Sequence, residues 1–320
     1  AKYTPEEIIS RLELKPVTQY QSEIIGSPLE PSVVIAGAGS GKTETMSNRV
    51  LYLVANGFVT PDQILGLTFT RKAAGELSVR IRKRLRQLAA HKDFKHITST
   101  ATSVTTYHSY AGKLLSEHAI RYGIDADAEP LGEAAIWQIA SDVVRNWSDD
   151  SYRNQSAVST VIKDLLGLSK LMLEHQVKAE DIERIGNEVL LSLQPLTGSS
   201  NAEVRDVAKA MRQRNSLLPM VEVFMQRRKA AGEFSFDDQM SLAADIAQNF
   251  EDVGVLERGK YKVVLLDEYQ DTSQSQVRML SSLYGGGHPV MAVGDPSQAI
   301  YTWRGASAGT MASFAKYFPK

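Results

Sequence analysis

Cysteine is absent from the 320-residue chain, which excludes a disulfide framework and any thiolate metal site. No run of 18 apolar residues occurs, and no basic-then-apolar leader is visible, so neither a membrane span nor a secretion signal is predicted. The six histidines are scattered without metal-ligand spacing. No Ser/His/Asp arrangement stands out, and no repeat of fixed period is evident. What remains is 43% hydrophobic and 23% charged, the balance of a well-cored α/β protein long enough for two domains. The expected location is cytoplasmic, with no membrane partner.

Charge of one sign is also missing overall, since the net charge is −1. The total hides two opposed segments. Arg71 to His96 carries nine Lys/Arg against two Asp/Glu, whereas Gly123 to Leu190 carries six against thirteen. Either run is readable as a solvated helix face, and the basic one equally as a phosphate-binding track.

Two compositional regimes divide the chain. In Pro31 to Thr106 and again in Lys262 to Gly305, short apolar runs (SVVIA, QILGLTFT, TSVTT, KVVLLDE, PVMAVGD) alternate with helical patterns, which predicts a parallel α/β sheet. Between about Ala111 and Gly232 the strand patterns vanish. There Ile136, Ile139, Ala140, Val143 and Trp147 recur at helical spacing, as do Val158, Val161, Ile162, Leu165 and Leu166. The expected architecture is an α/β domain formed by residues 1–110 and 230–320, with a helical domain, 111–229, inserted into it. Gln194 to Asn201 (QPLTGSSN) is turn-rich and predicts a mobile loop. Pro219 predicts a break or kink in the helix around it.

Ser32 to Thr43 reads SVVIAGAGSGKT, a buried strand, a small-residue loop and the start of an amphipathic helix. Small residues let the backbone of Ala36, Gly37, Ala38, Gly39, Ser40 and Gly41 curl so that its N–H groups converge on a polyphosphate at the positive end of the helix. Lys42 is then placed to bridge the terminal phosphates and Thr43 to hold Mg²⁺. The strict phosphate-loop pattern has Gly where this chain has Ala36. The flanking strand and helix supply the context that the relaxed pattern needs, and the predicted ligand is a nucleoside triphosphate.

Lys262 to Thr272 (KVVLLDEYQDT) delivers an acidic pair to the C-terminal edge of the same sheet, where ligands of such sheets bind. Asp267 is assigned to the metal shell and Glu268 to polarising a water, the division of labour that triphosphate hydrolysis needs.

The segments AGAGSGKT, LTFTRKAAGEL, TTYHS, FDD, DEYQDT and VGDPSQAIYTWRGA occur in the order and style of superfamily 1 helicases of the UvrD/Rep type, which the chain therefore resembles. The resemblance implies a RecA-like P-loop sheet flanked by helices, ATP and Mg²⁺ as ligands, and single-stranded DNA as partner, with 3′ to 5′ movement. By matched position it makes Thr18 and Gln21 an adenine-reading element, and Gln270 and Gln298 sensors of the terminal phosphate. Many relatives have an arginine directly after the loop Lys-Thr. This chain has Glu44, which leaves the adenine partner open. Phe236-Asp237-Asp238 matches a family motif and is equally readable as a helix cap.

Single strands are bound by a basic track plus flat side chains on which bases stack. Phe69, Thr70 and Arg71 at one strand end, Tyr107 and His108 at another, and Tyr301 with Trp303 at a third are the expected nucleic-acid contacts. Gln298 facing the triphosphate a few residues from Tyr301 and Trp303 would let one segment feel both ligands. Arg304 is the expected coupling residue there, through a phosphate or an acid. Relatives of this type continue into a second RecA-like domain with further arginines. The sequence is accordingly expected to be the N-terminal part of a longer enzyme, binding ATP weakly, hydrolysing it slowly and not unwinding duplex. Two other readings stay open: a subunit of a helicase and nuclease complex with a repair partner, and a P-loop regulatory ATPase that binds no nucleic acid.

Overall fold

The five apolar runs form β1 (Ser32–Ile35), β2 (Ile64–Thr68), β3 (Ser103–Thr106), β4 (Val263–Leu266) and β5 (Val290–Gly294). The computed structural model describes residues 1–97, 100–125, 128–148, 157–196, 202–298 and 309–320. All five strands lie parallel in one sheet, ordered β1-β5-β4-β2-β3. β4 (VVLL) and β5 (VMAVG) are buried at every residue, because they are inner strands covered on both faces and have no polar side to offer. At the edge, β1 alternates: Val34 packs on the core while Val33 and Ile35 are exposed.

The described chain falls into two compact units, Ala1–Leu115 with Ala243–Lys320, and Ser116–Leu242. The first holds the sheet. Its main core helix, α3 (Lys42–Ala55), is buried continuously from Thr45 to Ala55 and packs with Leu265, Met291 and Val293 of the inner strands. Burying each such aliphatic side chain is worth about 1.5–3 kcal/mol, so this helix fixes the loop that precedes it. Arg49 is the exception on that helix. Its guanidinium is buried and donates to the carbonyls of Ile25, Ser27 and Pro28 at 2.6, 2.6 and 3.0 Å, and burial lowers its pKa to about 10. It ties the end of α2 (Gln19–Ile25), which follows the short α1 (Pro5–Arg11), to α3. A second helix, α4 (Arg71–Ala90), buries Ala74, Leu77, Ile81, Leu85 and Leu88 at helical spacing and leaves most of its basic residues outside.

Strands are lacking among the described residues of the second unit apart from one isolated bridge, Leu131 with Ser235. Its core joins residues from helices Glu133–Arg145, Val158–His175 and Ala202–Ala230, including Ala140, Leu165, Val221 and Phe224. The last of these runs on through Pro219, so of the expected break or kink the break does not occur. Proline removes one backbone donor there, and the buried neighbours Leu217, Leu218, Met220 and Val221 hold the helix across it. Most of the loop expected after Gln194 lies outside the described residues. No described helix is long and apolar enough to cross a membrane.

Asp238 of the FDD segment is a structural anchor. One carboxylate oxygen accepts from the amide and hydroxyl of Ser235, at 2.5 and 2.7 Å, and from the buried guanidinium of Arg228. Replacing Asp238 by Ala leaves that guanidinium buried without its partner. We expect a loss of about 3–5 kcal/mol, read as a lower urea midpoint of the helix signal, and an unchanged midpoint contradicts this.

Candidate functional site

In a parallel sheet every strand delivers its C-terminal end to the same rim. There the loop after β1, the acidic pair after β4 and the Asp295–Gln298 segment after β5 converge. The loop turns through left-handed conformations at Gly39 (φ 75°) and Gly41 (φ 86°), which glycine adopts without steric cost. Gly41 is the N-cap of α3 and provides no side-chain cap. The first amides of α3 therefore have no side-chain cap, at the positive end of the helix dipole. Gln21 braces the loop from α2. Its amide nitrogen donates to the Ser40 carbonyl at 3.0 Å, and its oxygen accepts from the Thr18 amide at 3.0 Å.

Across the rim, Lys42 Nζ lies 3.2 Å from Glu268 Oε2. Gln270 Nε2 donates to the same oxygen at 2.8 Å, and Gln270 Oε1 accepts from the Asp295 amide at 3.1 Å. Asp295 in turn accepts from Gln298 Nε2 at 2.5 Å and from the Ser297 amide at 2.9 Å. One polar chain thus runs from the phosphate-type loop through the acidic pair to the end of β5, and it brings together Lys42, Glu268, Gln270 and Gln298. Asp295 had not been singled out by sequence reasoning. Its signal was there, an acid ending a buried strand next to Gly294.

Asp267 is buried, and its pKa is raised to about 6, first by burial and then by the Glu268 charge. Among the described residues no group of three or more His, Asp or Glu is arranged to hold a metal. A cation here would have to take most of its shell from phosphate and water.

The family of the UvrD/REP helicase N-terminal domain matches residues 17–319. The chain belongs to that family. It is 31% identical over 301 residues to the ATP-dependent DNA helicase UvrD1 of Mycobacterium tuberculosis (strain ATCC 25618 / H37Rv), covering 92% of this chain and 34% of that protein. It is also 27% identical over 302 residues to the ATP-dependent DNA helicase PcrA of Staphylococcus aureus (strain NCTC 8325 / PS 47), covering 94% of this chain and 36% of that protein. The chain thus spans about a third of the length of the curated relatives it matches. Its parallel sheet, flanking helices and helical unit are those of a RecA-like UvrD/REP domain.

Within this UvrD/REP domain the aromatic contacts read from the sequence separate. Phe69 is half-buried at the end of β2, with Thr70, Arg71 and His108 exposed beside the strand ends. Tyr107, expected to face a base, is instead fully buried. Its ring packs on Phe69 at 4.9 Å, and its hydroxyl donates to the Asp267 carbonyl at 3.0 Å, so no base can reach it. Tyr301, Trp303 and Arg304 lie outside the described residues. Glu44 accepts from Arg80 at 3.2 Å and from Arg84, which also bonds Asn48. Two charges of the basic helix are therefore spent on α3, while Arg71, Lys72, Arg82, Lys83 and Arg86 remain exposed.

With a folded-state pKa of about 6 against an ordinary 3.8, Asp267 holds its proton more tightly in the fold than in the unfolded chain. That advantage is complete below about pH 4 and is lost as pH rises through 6. Asp267→Asn is therefore expected to stabilise the protein at pH 8 by up to about 3 kcal/mol, with no gain below pH 4. Unfolding at the two pH values checks this, and equal gains at both contradict it.

Proposed function

We propose that this chain is the ATP-hydrolysing N-terminal motor portion of a helicase that moves along single-stranded DNA. The sheet-bearing unit is its RecA-like ATP-binding domain and the helical unit an insertion into it. The observation that carries the reading is the 3.2 Å contact between Lys42 and Glu268, which joins a phosphate-type loop to an acidic pair at one sheet rim. In this reading the amides of residues 36–41 and Lys42 hold the phosphates, and Gln21 borders the base. Thr43 and Asp267 hold Mg²⁺, whose bound charge offsets that of the phosphates.

The donor set fits such an ion. A buried carboxylate whose pKa is pushed up to about 6 is short of positive charge, and a bound cation would relieve that deficit. Glu268 is the residue that takes a proton from the attacking water. Gln270 and Gln298 report occupancy of the terminal phosphate along the polar chain to Asp295. Movement 3′ to 5′ and a second RecA-like domain as partner belong to the same proposal, on the strength of the family resemblance.

The exposed basic residues of α4, together with Phe69, Thr70, Arg71 and His108, form the strand-binding side; Tyr301 and Trp303 as further base contacts, and Arg304 as the link to the nucleotide, are part of the proposal on the strength of the family resemblance alone. Exposed cations beside a ring at the mouth of a sheet are what an unpaired strand requires.

Two measurements test this. Glu268→Gln is expected to slow single-turnover ATP hydrolysis by about 10²- to 10⁴-fold while nucleotide binding is kept; equal loss of binding would make Glu268 structural. Binding of a thymidine oligonucleotide is expected to weaken with salt, with a log–log slope of about −0.7 per phosphate contacted. A salt-independent affinity, or none, contradicts strand binding.

A further inference from the structure

The buried ring of Tyr107 occupies the ground between the two proposed ligands. β3 is the edge strand, and β2 separates it from β4. Tyr107, the first residue of the helix Tyr107–His118 that follows β3, reaches past the end of β2 to the Asp267 carbonyl after β4. On the way its ring packs against Phe69, the half-buried residue that ends the β2 run.

The other backbone group of Asp267 is held as well, since its amide donates to the Leu67 carbonyl at 2.9 Å. Both sides of this residue are therefore fixed by the strand-end aromatics and their own strand. The next residue, Glu268, sits in the left-handed region at φ 50°, ψ 42°. A side chain with a Cβ persists there only where its surroundings hold it. From that conformation the Glu268 carboxylate meets Lys42 and Gln270.

A phenylalanine would fill the same space as the Tyr107 ring. The hydroxyl adds a hydrogen-bonding group, and burying its donor away from water is unfavourable unless it has a partner. Here that partner is the carbonyl of the peptide that orients Glu268. We propose that Tyr107 is a positioning residue: its hydroxyl locks the Asp267–Glu268 peptide to the Phe69 rim, so that a strand seated on that rim alters the carboxylate that faces the triphosphate. This rests on the function proposed above. The path is a contiguous one, from the Phe69 ring to the Tyr107 ring, the hydroxyl, the Asp267 carbonyl and the Glu268 side chain. Such coupling requires an element that changes arrangement, and in this proposal that element is Glu268, held left-handed at φ 50° without a strand bound.

The test compares the wild-type chain with Tyr107→Phe. The dissociation constant of a non-hydrolysable ATP analogue with Mg²⁺ is measured with and without saturating thymidine oligonucleotide, and the oligonucleotide affinity with and without the analogue, which must give the same ratio. The wild-type ratio is expected to depart from unity by roughly fivefold or more. In Tyr107→Phe it falls to within about twofold of unity, while each ligand alone binds within about threefold of wild type and the melting temperature moves by only a few degrees. A side chain that serves stability alone would leave the ratio unchanged, and that result overturns the proposal. So does a variant that no longer melts cooperatively, which would assign the hydroxyl to folding. A wild-type chain with no oligonucleotide binding overturns the proposed function itself, together with this inference, and is recognised before any variant is compared.

Discussion

The contact between Lys42 and Glu268 spans 226 residues of sequence and exists only because the sheet is parallel. A parallel sheet sends the end of every strand to one side, so a loop after β1 and an acid after β4 meet although β5 lies between them. Each partner is positioned by buried apolar surface. The helix α3 is buried from Thr45 to Ala55, and β4 is enclosed at all its residues. Hydrophobic packing thus places two opposite charges at 3.2 Å, and the rest of the rim is arranged around them through Gln270 and Asp295.

The rim is not arranged for stability. Asp267 is buried beside a second carboxylate, and its raised pKa records the unfavourable free energy of keeping it ionised. Glu268 adopts a backbone conformation that residues with a Cβ avoid. These features cluster where a polyanion with a divalent cation would sit, and a bound cation would offset the first of them. A left-handed acid beside a buried carboxylate, at the rim of an otherwise well-packed sheet, is the pattern that the proposed function accounts for.

Much of this was legible in the sequence, and the reasons are physical. Strands that are covered on both faces must be apolar throughout, so KVVLLDE and PVMAVGD stood out as inner strands. A loop that turns tightly between a strand and a helix needs small residues, so AGAGSGKT was legible as the turn that Gly39 and Gly41 make. The carboxylate pair followed from its place at a strand end. Side-chain direction was less legible. Tyr107 and Phe69 both end strands, and nothing in residue type tells a ring that turns inward to hold a backbone carbonyl from one at the surface. Arg80 and Arg84 read as part of a uniform basic face, yet helical geometry turns them toward Glu44 while their neighbours stay in solvent. Arg49 lay hidden within the apolar pattern of α3, since its partners are backbone carbonyls that carry no sequence signature. Pro219 failed as a helix breaker because tertiary packing outweighed one lost hydrogen bond.

A bound triphosphate is expected to replace one ionic contact with another at the junction of loop and acidic pair. A crystal structure of the chain with Mg²⁺ and a non-hydrolysable ATP analogue tests this most directly. The expected result is phosphate seated on the amides of residues 36–41, with Lys42 Nζ moved from Glu268 onto it and the metal beside Thr43 and Asp267. Analogue bound elsewhere with the Lys42–Glu268 pair intact, or no analogue bound at saturating concentration, would contradict it.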